Sequence, residues 1–295
     1  MKRFVLVLLI LPLLLRPLPA PARGILASPV QLGLVAPPGG AASDVVKVSS
    51  SKEEKNRIRA LLLDFTKDEM GRLQVLPDGQ NPRSCKGWLS VDQADFLTPE
   101  TGSVEVRVTA HLPPDARGSY WALLALEVMP PPRTEGGGTG VVFVPRVAIP
   151  VIVTAAGTEE PSLQVEGFRA AYNGAEVVTE LAVRNTGNSA LLLKGAFTLE
   201  RPAAPGSLPE EVASQEPDPA TSYPGSLLRV RGKLALPLPE PGLTAHAYFR
   251  YGPSPAQAVE AASEVEGLPS APPDGGRLAP PAPLPSAGTP QEKTK

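Results

Sequence analysis

The stretch "GTGVVFVPRVAIPVIV", residues 138–153, is the most strand-like run in the chain, yet it contains Pro145, Arg146 and Pro150. Proline has no N–H to give a ladder, so a strand interior normally excludes it. Successive N–H groups of a strand point to opposite neighbours, and the two prolines have opposite parity, so their missing donors face opposite sides. The simplest arrangement is a strand with a free side at one proline and a change of partner or a bulge near the other. Val141, Phe143, Val147, Ile149, Val151 and Val153 share one parity and suit a core. Val142, Val144, Arg146 and Ile152 form an opposite face too apolar for plain exposure to water. The expectation is an edge strand closing a first sandwich, with prolines that block edge-to-edge aggregation. Val142, Val144, Arg146 and Ile152 are then the candidate surface for receiving a partner's strand.

Composition supports an all-β reading. Among 295 residues, 42% are hydrophobic but only 5% aromatic, so the cores must be built from Val, Leu, Ala and Ile. The 37 prolines are clustered, which favours short strands, turns and tails over long helices. The formal net charge is −2 with no basic block, which argues against nucleic-acid binding, since neutralising phosphates takes a Lys/Arg surface.

The N-terminus "MKRFVLVLLILPLLLRPLPAPARG" places Lys2 and Arg3 before an apolar stretch from Phe4 to Leu15, followed by small residues. That is the layout of a secretory signal peptide over residues 1–22, with Ala20 and Ala22 fitting the cleavage site. The apolar run is short for a bilayer, which needs roughly 20 residues, so no stable membrane insertion is expected after cleavage. An exported chain with one cysteine, Cys85, has no internal disulfide. The following Trp88–Leu89 pair points to a buried thiol.

Past the leader, short alternating or apolar runs are separated by Gly, Pro, Asp and Asn. In "SVEVRVTAHL", Val104, Val106 and Val108 share one face while Glu105, Arg107 and Thr109 take the other, the pattern of a half-buried strand. "SYWALLALEV" is apolar on both faces, as a central strand would be. About eight strands in roughly 130 residues predict a β-sandwich. The polar break "AAGTEEPS", residues 155–162, ends it, and a second strand series follows, with turn chemistry at "NTGN", residues 185–188. The predicted layout is an immunoglobulin-like sandwich over 23–156, a second sandwich over 157–268 and a Pro-rich disordered tail over 269–295. The Pro-rich stretch 202–225 has no periodicity and is predicted to be a long loop.

Catalytic and metal signatures are weak. His111 and His246 fall in separate strand patterns, with no second His or Cys at ligand spacing. Asp64, Asp68 and Glu69 lack the alternating oxygen spacing of a calcium loop and suit a hairpin turn. "GGGTG", residues 136–140, has neither the Lys-Ser/Thr nor the helix of a phosphate loop. The reading is a non-enzymatic protein with no cofactor.

The segment "SCKGWLSVDQADFLTPETGSVEVRVTAHLPPDARGSYWALLALEV" resembles the first domain of periplasmic pilus-assembly chaperones, in its Trp-containing segment, its strand and the "P-x-x-x-x-G-x-Y" turn. "RVAIPVIV" is similar to the final strand of that domain. "ELAVRNTGNSALLLKGAFTL" and "YPGSLLRVRGKLALPLPEPGLTAHAYFRYG" look like the second. The likeness covers most of residues 25–267 and implies two immunoglobulin-like domains and a periplasmic or extracytoplasmic location. It also implies exported subunits of pilus or fimbrial type as partners, with an outer-membrane usher. The family's basic pair for a subunit's terminal carboxylate implies an Arg in the first strand, which "ILASPVQLGLVAP" lacks; Arg146 lies near the place of the second cation. The competing expectation is a structural or adhesive cell-envelope module of tandem immunoglobulin-like domains.

Overall fold

The computed structural model describes residues 24–51, 55–130, 144–203, 207–252 and 257–269. The predicted signal peptide, "GGGTG", Val142 and all but the first residue of the predicted tail lie outside the described residues. The described chain is all β, with one short 3-10 turn at Lys86–Trp88. It divides into two compact units, one of Met1–Asp68, Arg72–Pro161 and Gly187–Ala190, the other of Glu69–Gly71, Ser162–Thr186 and Leu191–Lys295.

The first unit is a sandwich of a four-stranded and a six-stranded sheet. The smaller sheet runs β1 (Ile25–Ser28), β3 (Ala41–Ser50), β8 (Val104–His111), β6 (Leu89–Val91). The larger runs β2 (Leu32–Ala36), β10 (Arg146–Ala155), β9 (Gly118–Val128), β4 (Arg57–Lys67), β5 (Leu73–Leu76), with β7 (Asp95–Leu97) also on β4. "ILASPVQLGLVA" therefore serves both sheets, β1 in one and β2 in the other. The alternation in β8 holds: Val106 and Val108 are fully buried while Glu105 and Arg107 are exposed. β9 pairs with β10 on one side and β4 on the other, and nearly every one of its residues is buried. Its uniform hydrophobicity is thus that of a central strand. The core is aliphatic as composition demands, with Leu32, Leu34, Ile58, Leu124, Leu126 and Ile149 among its buried members.

The second unit is one continuous sheet, ordered β14 (Glu210–Gln215), β13 (Leu191–Arg201), β17 (Thr244–Tyr251), β18 (Gln257–Glu266), β11 (Leu163–Tyr172), β12 (Glu176–Asn185), β16 (Leu227–Ala235), with β15 (Ala220–Ser222) also on β13. The side chain of Gln215 on β14 accepts the backbone N–H of Lys233 on β16, so the two ends of the sheet meet around the core. The stretch 202–225, predicted to be one long loop, instead carries β14 and β15. Both pair with β13, and Pro217 and Pro219 fall in the break between them, opposite Lys194–Ala196, where no ladder donor is required. The absence of periodicity reflected two short strands separated by a proline-rich step.

Phe197 stacks on Phe168 at 6.0 Å and meets Phe249 edge-on at 5.1 Å, placing three of the chain's few aromatics in one cluster. Gly195 sits on the same ladder, opposite Phe249. A Cβ there would lie 1.9 Å from the Tyr248 carbonyl oxygen and 2.6 Å from the Phe249 Cα. Those are backbone atoms held by the β13–β17 pairing, so they cannot yield cheaply. Gly195→Ala is therefore expected to cost about 3 kcal/mol or more in urea unfolding. Gly33→Ala on β2, where an added Cβ meets nothing within 4 Å, is expected to change the midpoint little.

Glu180 on β12 is nearly buried, at 6% exposure, and accepts from Arg231 Nε (2.8 Å), Arg229 (3.0 Å) and Arg169 (3.1 Å). Burial pushes its carboxyl up, but the hydrogen bonds from Arg231 and Arg229 and the charge of Arg169 outweigh burial and hold it below the usual range. A carboxyl whose folded pKa is depressed stabilises the fold above the unfolded value, about 4.3, and loses that contribution as pH falls through the folded value. The difference in urea midpoint between the native chain and Glu180→Gln should therefore be largest near neutrality and shrink on acidification below about pH 4. A difference that stays constant with pH would contradict this account.

Candidate functional site: the half-paired strand β10

β10 is not an edge strand along its whole length. It pairs with β9 from Arg146↔Glu127 to Ala155↔Gly118, but with β2 only from Val151↔Leu32 to Ala155↔Ala36. Residues 146–150 therefore have a neighbour on one side only, among the described residues. The strand starts at Arg146; Val144 and Pro145 precede it outside any strand, so the run quoted from the sequence is not one uninterrupted strand.

The direction of each backbone group follows from two hydrogen bonds. Val128 N–H donates to Pro145 C=O at 2.9 Å, so odd-numbered residues of β10 turn their N–H and C=O toward β9. Ala156 N–H donates to Ala36 C=O at 2.9 Å, so even-numbered residues turn theirs toward the β2 side. Pro150 is even. Its nitrogen faces the β2 side at the place where β2 begins, and no donor is missed. Pro145 is odd and faces β9, but it stands just before the strand, where only its carbonyl is used. Pro150 thus stands where the open side ends and the β2 ladder begins, whereas Pro145 lies outside the strand, so the parity argument applies to Pro150 alone. Between them, Arg146 and Ala148 present two N–H donors and two C=O acceptors to the open side.

The candidate side chains are distributed unevenly. Val144 is 46% exposed. Arg146 is exposed but ion-paired with Glu127, opposite it on β9, so its guanidinium already holds a carboxylate of its own sheet. Ile152 must be corrected. It points away from the main core, as its parity requires, yet it is only 8% exposed, and its backbone has β9 on one side and β2 on the other. Beside it on β9 stand Trp121 and Leu123, also outward-facing and buried, so Ile152 belongs to an apolar layer on that face rather than to an open surface. A small side chain such as Ala148 carries no patterning signal in the sequence. The parity of Pro150 was the signal that could have found it.

Other candidates resolve into structure. Asp64 is buried and accepts Gly79 N–H at 3.0 Å and Ser84 Oγ–H at 2.5 Å. Asp68 accepts Arg72 N–H and Nε–H, closing the β4–β5 hairpin. His111 lies exposed on β8, and His246 on β17 stands 3.4 Å from Glu200. Among the described residues no three His, Cys, Asp or Glu side chains gather as metal ligands, and no helix is long and apolar enough to cross a membrane.

No family model and no curated protein matches the chain. Solved structures it is similar to include the class 5 fimbriae chaperone CfaA, at 12% identity and TM-score 0.42 over 83% of this chain and 100% of that one. The Salmonella enterica SafA pilin complex with the SafB chaperone gives 10% and 0.42 over 83% and 98%. The Escherichia coli chaperone DraB gives 12% and 0.42 over 81% and 97%. By their names these are chaperone structures, two of them of fimbrial or pilin type.

Cys85 lies in the core of the first unit with no exposed surface, its N–H donating to Trp121 C=O at 3.3 Å. Burial pushes the thiol up to about 12, and the charge of Asp64 adds to this against a lowering backbone hydrogen bond. Thiolate, the reactive form, is then scarce at neutral pH. Native protein should label with a thiol reagent at least about a hundredfold more slowly than urea-unfolded protein. Comparable rates would place Cys85 at the surface.

Proposed function

We propose that the chain is an exported, non-enzymatic binding protein, a periplasmic chaperone-like factor that receives an extended segment of an exported subunit on the open half of β10. On this reading residues 1–22 direct export and are removed, residues 23–156 and 157–268 are the two domains, and subunits of pilus or fimbrial type are the partners, with an outer-membrane usher downstream. The observation that carries it is the five-residue ladder edge of Arg146–Pro150, bounded by prolines and joined to an exposed Val144. A strand laid there would meet the donors and acceptors of Arg146 and Ala148, the main-chain recognition of strand addition.

Magnitude limits what the edge does alone. Four hydrogen bonds at roughly 0.5–1.5 kcal/mol each give about 2–6 kcal/mol before the cost of ordering the peptide. Micromolar binding needs about 8 kcal/mol, so apolar side chains must supply the difference. Val144, worth up to roughly 1.5–3 kcal/mol if fully covered, is the nearest exposed one.

Ala148→Pro removes the central donor of the open edge and leaves the β9 ladder intact, since residue 148 turns away from β9. The urea midpoint of the variant is expected to stay near that of the native chain, while capture of exported proteins from periplasmic extract falls by on the order of 1–3 kcal/mol. Ala122→Pro, on β9 between two partners, should unfold the domain and serves as the contrast. In hydrogen exchange, the amides of Arg146 and Ala148 should exchange quickly in the isolated chain while Val147 and Ile149 are protected. Capture undiminished by Ala148→Pro, or protected amides at 146 and 148 in the free protein, would remove the basis of this reading.

A further inference from the structure

A different feature stands on the far side of β2, independent of the reading above. β2 ends the larger sheet of the first unit, and among the described residues no strand pairs with its other side. Ala36 C=O accepts Ala156 N–H, so even-numbered residues of β2 turn their backbone groups toward β10. Gly33 and Val35 therefore hold their N–H and C=O groups out to the open side. Leu32, Leu34 and Ala36 fill the core, so positions 33 and 35 face outward, and Val35 is 61% exposed.

Open edges are normally guarded by a charge, a proline or a bulge within the strand. The second unit follows that rule, with Glu210 and Glu211 on its end strand β14 and Arg229, Arg231 and Lys233 on its end strand β16. β2 has no such guard. No Asp, Glu, Lys or Arg occurs from Gly24 to Ser43, and Pro29, Pro37 and Pro38 stand outside the strand. Its register with β10 is unbroken.

The pattern of the edge fits a second copy of itself. Laid antiparallel about a two-fold axis at Leu34, Gly33 of each copy meets Val35 of the other. Those are hydrogen-bonded pairs, so four N–H···O=C bonds form and use every outward-turned donor and acceptor within Leu32–Ala36. Any other register leaves some of these groups unpaired. The same register sets an exposed valine across from a residue without a side chain, where an added Cβ meets nothing within 4 Å. In that row Gly33 stands beside Ile152 of β10, and Ile152 beside Trp121 of β9, both nearly buried. Val35 of the second copy extends this apolar row past Gly33. A two-fold axis brings like residues together, so a charge in the stretch would repel its own copy, and the stretch has none.

We propose that β2 is a self-association edge, joining two copies of this chain antiparallel through Gly33 and Val35 into one continuous sheet. One strand pair buries less than the roughly 1,200–2,000 Å² of a stable interface, so the dimer is weak and concentration-dependent.

Mature full-length protein is followed by sedimentation equilibrium from micromolar to millimolar concentration. A monomer–dimer equilibrium is expected, and added salt should not weaken it, because no charge takes part. Val35→Pro removes two of the four bonds and spares the β10 ladder, since residue 35 turns away from β10. Association should weaken about tenfold or more, with a urea midpoint near the native one. Ala148→Pro, on the open half of β10, should leave the dimer intact. Oxidation reads the register: chains carrying Gly33→Cys mixed with chains carrying Val35→Cys should cross-link, and either variant alone far less, because only positions 33 and 35 come within disulfide reach across the axis. A chain that stays monomeric throughout, or a dimer that Val35→Pro leaves intact, overturns the proposal. So does a dimer abolished by Ala148→Pro, or cross-linking as fast within one variant as between the two.

Discussion

A β-strand turns its backbone donors alternately to its two neighbours, and that rule governs β10 in the first unit. β9 is buried on both faces and has β10 along nearly its whole length but β4 only from Leu123 to Val128, so β10 must satisfy it with odd-numbered groups. The even-numbered groups are then committed to the other side, whether or not a strand is there. β2 is too short to cover them, because the chain spends Ile25–Ser28 in the opposite sheet before reaching Leu32. The open edge at Arg146 and Ala148 is thus a consequence of one N-terminal segment serving two sheets. Pro150 costs nothing at its position because its missing donor points into the place where the partner has not yet begun.

The same logic appears in the second unit. β14 and β15 run one after the other along β13, and Glu216–Pro219 between them face only Lys194–Ala196. Prolines occupy the step where the ladder is broken. Pro150 in the first unit and Pro217 and Pro219 in the second stand where a donor would have no acceptor. The 37 prolines of this chain are therefore compatible with its strand content. Charge is handled in a parallel way, since Arg146 and Glu127 on one sheet and Arg169, Glu180 and Arg231 on another form cross-strand rows. Such rows bury a carboxylate only where guanidinium groups surround it.

Much of the fold was legible because period-two patterning is local. Val106 and Val108 against Glu105 and Arg107 announced β8, and the unbroken hydrophobicity of "SYWALLALEV" announced a central strand. Pro150, though not Pro145, announced a half-free β10. What escaped depends on partners far away in sequence. Nothing local separates β1 from β2 into different sheets, and β14 is too short and polar to show a period. Ile152 looked like surface because its parity faces away from the core; that the outward face is itself apolar, through Trp121 and Leu123 on β9, is a property of strand order.

The open edge is limited in what it can specify. A ladder edge reads only the extended backbone, so any unpaired strand of adequate length satisfies Arg146 and Ala148 equally. Discrimination has to come from side chains beside that ladder, such as Val144, which is 46% exposed. If β10 receives a partner strand as proposed, weak, sequence-tolerant backbone pairing would hold the segment extended and still let it leave, which a tight pocket would not.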